Sequence, residues 1–324
     1  MKWTQNLRAS GTYRDVVWGN NLYIAVGDGG LISTSSDGKT WNDGISGTKL
    51  NLYSVAYGDR FVAVGKDGII LTSKNGTEWN APKAYIQDGL SFTSIAWNGQ
   101  LYCAGGIKGK VMTSPDGEKW TPIVTNSGGE FRGMASTPEG FLAAASSGGV
   151  GLYEKGKWVT QKISTYNFYG CACDGKQYIV GGKDGSLFRS TDGSKWKQIE
   201  SGTTCYFMCI ISINDEFVAC GDGNVPHPSY GKAMSFIGCS KTGEKWVRDL
   251  TPDFSTLLGL ASNGKNVVAV GARKLVIQAK WEKVTEPNEP PVVIVPKIKK
   301  YRISKKGVPI LTLEGEDIVI EEIQ

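Results

Sequence analysis

The chain has 324 residues, 40% of them hydrophobic, with 43 glycines, seven cysteines and one histidine. Its 36 basic and 31 acidic residues are interspersed and leave a formal net charge of +5 at pH 7, which argues against a nucleic-acid footprint. No run of about 18 apolar residues is present to insert into a membrane, a single histidine excludes a His-rich metal centre, and the hydrophobic share is too high for global disorder.

The N-terminal stretch MKWTQNL has a strand-like pattern and no apolar core of a signal peptide, so synthesis in the cytoplasm without export is expected. From there to about residue 285 the chain repeats itself. Trp41, Trp79, Trp120, Trp158 and Trp196 recur at intervals of about 40 residues, and Trp246 and Trp281 follow. The clearest unit is LYSVAYGDRFVAVGKDGIILTSKNGTEW, residues 52–79. It reads as four short strands (LYSVAYG, RFVAVG, IILTS and EWNAP) separated by Gly-Asp, Asp-Gly and Asn-Gly turns.

Seven such units can be aligned on their second strands: LYIAVG, RFVAVG, LYCAGG, GFLAAAS, QYIVGG, EFVACG and NVVAVG. Four antiparallel strands repeated seven times predict an all-β fold, a seven-bladed β-propeller spanning 1–285. One four-stranded sheet cannot bury both faces, whereas a ring of them buries each against its neighbours. MKWTQNL reads as a fourth strand lacking its first three, suited to complete the last blade beside KLVIQAKWEKV; the strand containing Trp281 could fill that place instead.

Unit six carries one long insertion, 222–236, in which Pro226 and Pro228 flank His227 and Tyr230. A long loop on a rigid scaffold suits partner contact, which makes His227 and Tyr230 candidate binding residues. Beyond 285 the pattern breaks. EPNEPPVVIVP, 286–296, is a Pro-rich linker. Residues 297–324 run from a basic stretch to VPILTLEGEDIVIEEIQ and read as a small β attachment arm.

The turns before most of the repeating tryptophans read SSDGKTW, SKNGTEW, SPDGEKW, STDGSKW and SKTGEKW, with a degenerate EKGKW in unit four. They resemble the Asp box of the sialidase-like BNR repeat propellers, with one residue fewer between Asp and Gly. They are also similar to the repeats of the photosystem II assembly factor family and of many bacterial and phage propellers. The resemblance covers roughly 1–285 and implies architecture. Asp37, Asp116 and Asp192 are therefore expected to cap turns, with the tryptophans packing between blades. A sialidase would also need a Phe/Tyr-Arg-Ile-Pro motif and an arginine triad; the motif is missing here. No P-loop or nucleophile elbow occurs either, and no cofactor is expected. Most cysteines (Cys103, Cys171, Cys173, Cys205, Cys209, Cys220 and Cys239) sit in apolar runs and read as reduced, buried small hydrophobes.

Propellers bind at the channel mouth, where the first strand of each unit lines the axis. Aligning these strands brings Arg14, Tyr53, Thr93, Arg132, Tyr169, Phe207 and Leu258 to one level. Arg14, Tyr53, Arg132, Tyr169 and Phe207 are the ligand or partner candidates. Asp28, Lys66, Asp67, Lys108, Lys110, Lys183, Asp184, Asp222, Arg273 and Lys274 are placed on the nearby rim, mostly as Asp-Gly turn chemistry. The expected function is a non-enzymatic binding or assembly protein without catalytic or metal residues. By analogy with phage propellers it would be a structural component of a phage or phage-derived tail particle. Its arm would dock to other protein subunits, and its mouth or loop would meet a cell-surface glycan or protein. A lectin-like glycan binder, a cytoplasmic assembly factor and a degenerate glycosidase are the alternatives.

Overall fold

The computed structural model describes residues 3–7, 10–80, 83–84, 91–222, 235–250 and 255–281. The loop bearing His227 and Tyr230 and the segments at 286–296 and 297–324 lie outside them. Contacts divide the chain into Met1–Val284 and Thr285–Gln324, and every described residue belongs to the first unit.

Seven four-stranded antiparallel sheets form seven blades. The first strands are Tyr13–Gly19, Leu52–Tyr57, Phe92–Trp97, Phe131–Thr137, Phe168–Cys173, Cys209–Ile213 and Leu257–Ser262 in blades I to VII. Each contacts the first strand of the next blade all the way round, including the return from blade VII to blade I. The second strands are buried along their whole length, as in Phe61–Gly65 and Glu216–Gly221, or at all but the first residue, as in Leu22–Gly27. Alternation therefore fails there: both faces of the middle of each blade are covered, as the run of small and β-branched residues requires. Among the described residues there is no α-helix, only single 3₁₀ turns such as Asp28–Gly30 and Lys66–Gly68 joining second to third strands.

The core is divided into seven apolar clusters among the described residues, one at each blade interface. At the front of each first strand stands a large side chain shielded from solvent: Tyr13, Leu52, Phe92, Phe131, Phe168, Phe207 or Leu257. Blade VII is completed from the other end of the chain. Thr4–Leu7 pairs antiparallel with Val276–Lys280, with Thr4 opposite Gln278, and an isolated bridge joins Thr12 to Ala272. Trp3 sits in the cluster between blades VI and VII, with Trp281 packed against it.

The turn motifs have one shared geometry. In blade III, Asp116 Oδ1 accepts the Glu118 and Lys119 amides at 2.9 and 2.8 Å. Ser114 Oγ accepts the Gly117 amide and donates to Asp116, and Trp120 Nε1 donates to the Gly117 carbonyl. Blades I and V repeat every one of these bonds. The amide bonds hold Asp37 and Asp116 below the ordinary carboxylate range. In these capped turns the tryptophan lies before the outer strand, not in it. Outer strands are consequently short: Asn42–Asp43 and Lys197–Gln198 in blades I and V. The expected fourth strand EWNAP is corrected accordingly: Trp79 closes the turn through Gly76, the Asn80 amide donates to Thr72 O of the third strand, and among the described residues the outer strand is Lys83–Ala84.

Candidate channel-mouth site

The residue after each buried front residue is the one that reaches the axis. In blades I to V and VII the pairing register slips at this position, as between Tyr13 and Asp15 or between Phe131 and Gly133. The same slip recurs in the other four. The skipped residues are Arg14, Tyr53, Thr93, Arg132, Tyr169 and Leu258. Each is the extra residue of a β-bulge, and a bulge re-aims its side chain. Together with Met208 they line one cavity of about 210 Å³ at the axis.

The structure thus gathers Arg14, Tyr53, Arg132 and Tyr169 in one place, and corrects Phe207. Phe207 is fully buried between blades V and VI, edge-on to Phe236 and Trp246, and Met208 takes its place at the mouth. Matching the strands by sequence is off by one residue in blade VI, which in an extended strand turns a side chain to the opposite face. Of the rim residues, Asp28 reaches the mouth. Asp67 and Asp184 occupy the left-handed centre of their turns, at φ 55°, where their job is backbone geometry.

The charges at the mouth are paired. Arg14 donates from Nε and Nη2 to both oxygens of Asp28 at 2.9 and 3.0 Å, a bidentate contact that fixes the guanidinium plane. Arg132 Nε donates to Glu130 at 2.8 Å. The Arg132 guanidinium also lies 5.0 Å from the centre of the Tyr169 ring, and that ring is stacked on Tyr206 with planes 10° apart. This cation–ring–ring column is preorganised, while both arginines stay partly exposed.

Sequence reasoning missed the layer immediately beneath. The next position is Asp15, Ser54, Ser94, Gly133, Gly170, Cys209 and Gly259 round the ring. Asp15 accepts bonds from Ser54 Oγ (2.7 Å), Val55 N (3.0 Å) and Val16 N (2.8 Å). Ser54 Oγ in turn accepts the Ile95 amide of blade III. Asp15 thereby clasps blade I to blade II. Burial pushes its carboxyl up to about 6, opposed by the Ser54, Val55 and Val16 bonds. The available signal was a carboxylate standing where other units have Ser or Gly. Below this layer, Val16, Val55, Ile95, Met134, Cys171, Ile210 and Leu260 form an apolar level lining the same cavity. Past it lies a second cavity of about 330 Å³ lined by Tyr57, Trp97, Ser136, Cys173 and Ser212.

All seven cysteines are free. Cys103, Cys171 and Cys220 are pushed well above the usual thiol range by burial, so they stay protonated and unreactive. No group of three or more metal-ligating residues exists among the described residues.

Fold and mouth together define a seven-bladed β-propeller with a charge-paired axial recess. A family model described as the DUF6242 beta propeller domain matches residues 2–91. The solved structure of YCF48 bound to D1 peptide is similar at a TM-score of 0.66 and 15% identity, over 87% of this chain and 95% of that one. YCF48 from Cyanidioschyzon merolae is similar at 0.64 and 17%, over 86% and 98%. The WD40 beta propeller domain of Doa1 gives 0.65 and 17%, over 87% and 98%. At such identities the likeness is one of fold. No curated protein matches the chain in sequence.

Proposed function

We propose that this chain is a non-enzymatic binding and assembly protein that holds a segment of a partner protein at the channel mouth. The carrying observation is the Arg132–Tyr169–Tyr206 column beside the Arg14–Asp28 pair, on bulges that every blade but VI repeats. A rigid cationic and aromatic surface of this kind suits peptide carbonyls, carboxylates and apolar side chains. The similar YCF48 structure with a bound D1 peptide supports a peptide as the ligand class. Among the described residues, no carboxylate in the cavity is left ionised, unpaired and opposite a second one, as glycoside hydrolysis would require.

The wider setting we infer is a structural part of a phage or phage-derived tail particle. It rests on the resemblance of the repeats to phage propellers and on the arm-like sequence 297–324 docking to other subunits. Light scattering of the full chain against a chain ending at Val284 tests the arm: defined oligomers lost on truncation support it, and two monomers overturn it.

The mouth is tested by selecting a displayed peptide library on the native chain, with Arg14→Ala/Arg132→Ala as counter-target. We expect peptides whose affinity falls at least about tenfold in the double variant, since each truncated anchor costs on the order of 1 kcal/mol or more. Peptides indifferent to the substitutions would overturn the reading. Capture on a glycan array with the same dependence on Tyr169 would replace the peptide by a sugar.

A further inference from the structure

Blade IV is built differently at its perimeter. In place of the Ser/Asp-capped turn it has Glu154-Lys155-Gly156-Lys157, with Lys155 and Gly156 both at positive φ, 51° and 78°. This is a two-residue hairpin, whose twist matches the strands it joins. The third strand, Gly149–Glu154, therefore stays paired to its end, and the outer strand Lys157–Lys162 pairs with it over six residues, from Glu154↔Lys157 to Gly149↔Lys162. The outer strands of blades I and V pair over two.

A two-residue hairpin makes Glu154 and Lys157 a hydrogen-bonded pair. Bonding then alternates, so Lys157, Val159 and Gln161 turn their backbone groups into the blade. Trp158, Thr160 and Lys162 turn theirs outward, an open row of three amides and three carbonyls. Such an edge is a template for another strand. The strand is held in shape from behind: Trp158 stacks edge-on to Phe131 and donates to Thr160 Oγ1, which donates to Thr125 O of the preceding linker. On the other face Val159 is 63% exposed. Lys157 and Gln161 beside it are exposed, as is Lys162 at the strand's end.

We infer that the outer edge of blade IV takes up an extended, acidic strand of a heterologous protein. Charge complementarity selects the occupant. Lys157 and Lys162 stand at the two ends of the edge, and Lys155 caps the hairpin, its ammonium 3.3 Å from Glu139. The strand itself carries no carboxylate. Opposite charges facing each other across strands stabilise the pair, and like charges oppose it. A second copy is disfavoured, since its strand would bring no carboxylate to the edge and would add its own Lys157 and Lys162 to these. Lys157 and Val159 point to one face of the strand and Lys162 to the other, so a partner strand with a carboxylate opposite each lysine and a β-branched residue opposite Val159 would answer the charges and cover the apolar side chain. This surface is on the perimeter and independent of the mouth, so Arg14→Ala/Arg132→Ala leaves it intact.

The probe is a fluorescent peptide containing Glu-Thr-Val-Val-Thr-Glu, the Glu/Val peptide, blocked at both ends, with both Glu replaced by Lys in its control, the Lys/Val peptide. It is titrated by anisotropy into the full chain and followed by hydrogen exchange. We expect the Glu/Val peptide to bind, the Lys/Val peptide not to, and the amides of Trp158, Thr160 and Lys162 to slow. Lys157→Glu/Lys162→Glu, both exposed and unable to disturb the core, should lower affinity about tenfold. Lys162→Pro removes one outward amide at an exposed edge position that tolerates proline and leaves the Thr160 bonds in place, and should weaken the exchange protection at Trp158 and Thr160. Failure of the native chain to bind, equal binding by the charge-reversed chain, protection confined to other blades, or a dimer joined through this edge would each overturn the inference.

Discussion

Asp15 is the residue with the most to lose and gain from pH. Its carboxyl is raised from 3.8 to about 6, so the folded state binds a proton more readily than the unfolded chain does. The sign follows: its contribution is most favourable below about pH 4 and is lost as pH rises through 6, a difference of roughly 3 kcal/mol. Asp15→Asn should therefore gain on the native chain between pH 4 and pH 7 by up to that amount, read from urea midpoints at the two pH values. A gap that does not move with pH would mean the carboxylate is not desolvated. Asp15 also shows why this layer was hard to see beforehand. Nothing in RDVVWG separates Arg14, which faces the axis, from Asp15, which faces the next blade, until the bulge between Tyr13 and Asp15 is known. Gly259 is constrained by the same clasp: a Cβ there would lie 2.8 Å from the Asp15 Cα. Gly259→Ala is expected to cost about 1–3 kcal/mol by overpacking, measured by thermal unfolding.

The turn motifs are more than local caps. Gly117 takes φ +72°, and a Cβ on it would meet Val62 Cγ2 of the preceding blade at 2.6 Å; Gly202 takes nearly the same φ, +67°, with nothing near. Both glycines escape the left-handed penalty of about 1–2 kcal/mol, but only Gly117 also seats one blade on another. Gly202→Ala should cost about 1 kcal/mol, and Gly117→Ala about 1–3 kcal/mol more, compared by denaturant unfolding. Equal losses would show that the turn does not contribute to the blade interface. Ser114, fully buried, accepts the Gly117 and Asp116 amides and donates to the Asp116 carboxylate; Ser114→Ala should cost about 1–3 kcal/mol because those amides lose their acceptor. The turns were legible as turns because Asp-Gly and Asn-Gly announce them. Their reach into the preceding blade was not, since it depends on which residue, Val62 or Ile24, comes to stand beneath.

The ring as a whole was the most legible feature. Seven repeats of alternating turns and β-branched runs leave few other ways to bury so many two-sided strands. Chain closure was half legible: Thr4–Leu7 had the pattern of an outer strand, but only the pairing with Val276–Lys280 settles it over the competing strand at Trp281. Removing residues 1–9 should leave blade VII three-stranded, and exchange protection at Val276–Lys280 should fall before that of any other third strand. Unchanged protection there would show the seam to be dispensable.

That seam also sets an order of events in time. Thr4 and Gln278 are 274 positions apart, so the earlier strand must wait for the rest of the ring before it has a partner. Neighbouring blades can condense as they emerge, each helped by short-range pairing, but the circle stays an open arc until the end. During that interval the faces of blades I and VII that will meet are both wet, and anything lying across the axis could be enclosed when they join. Assembly around a guest, rather than entry of a guest into a finished ring, is a route that only a propeller sealed by its two ends provides.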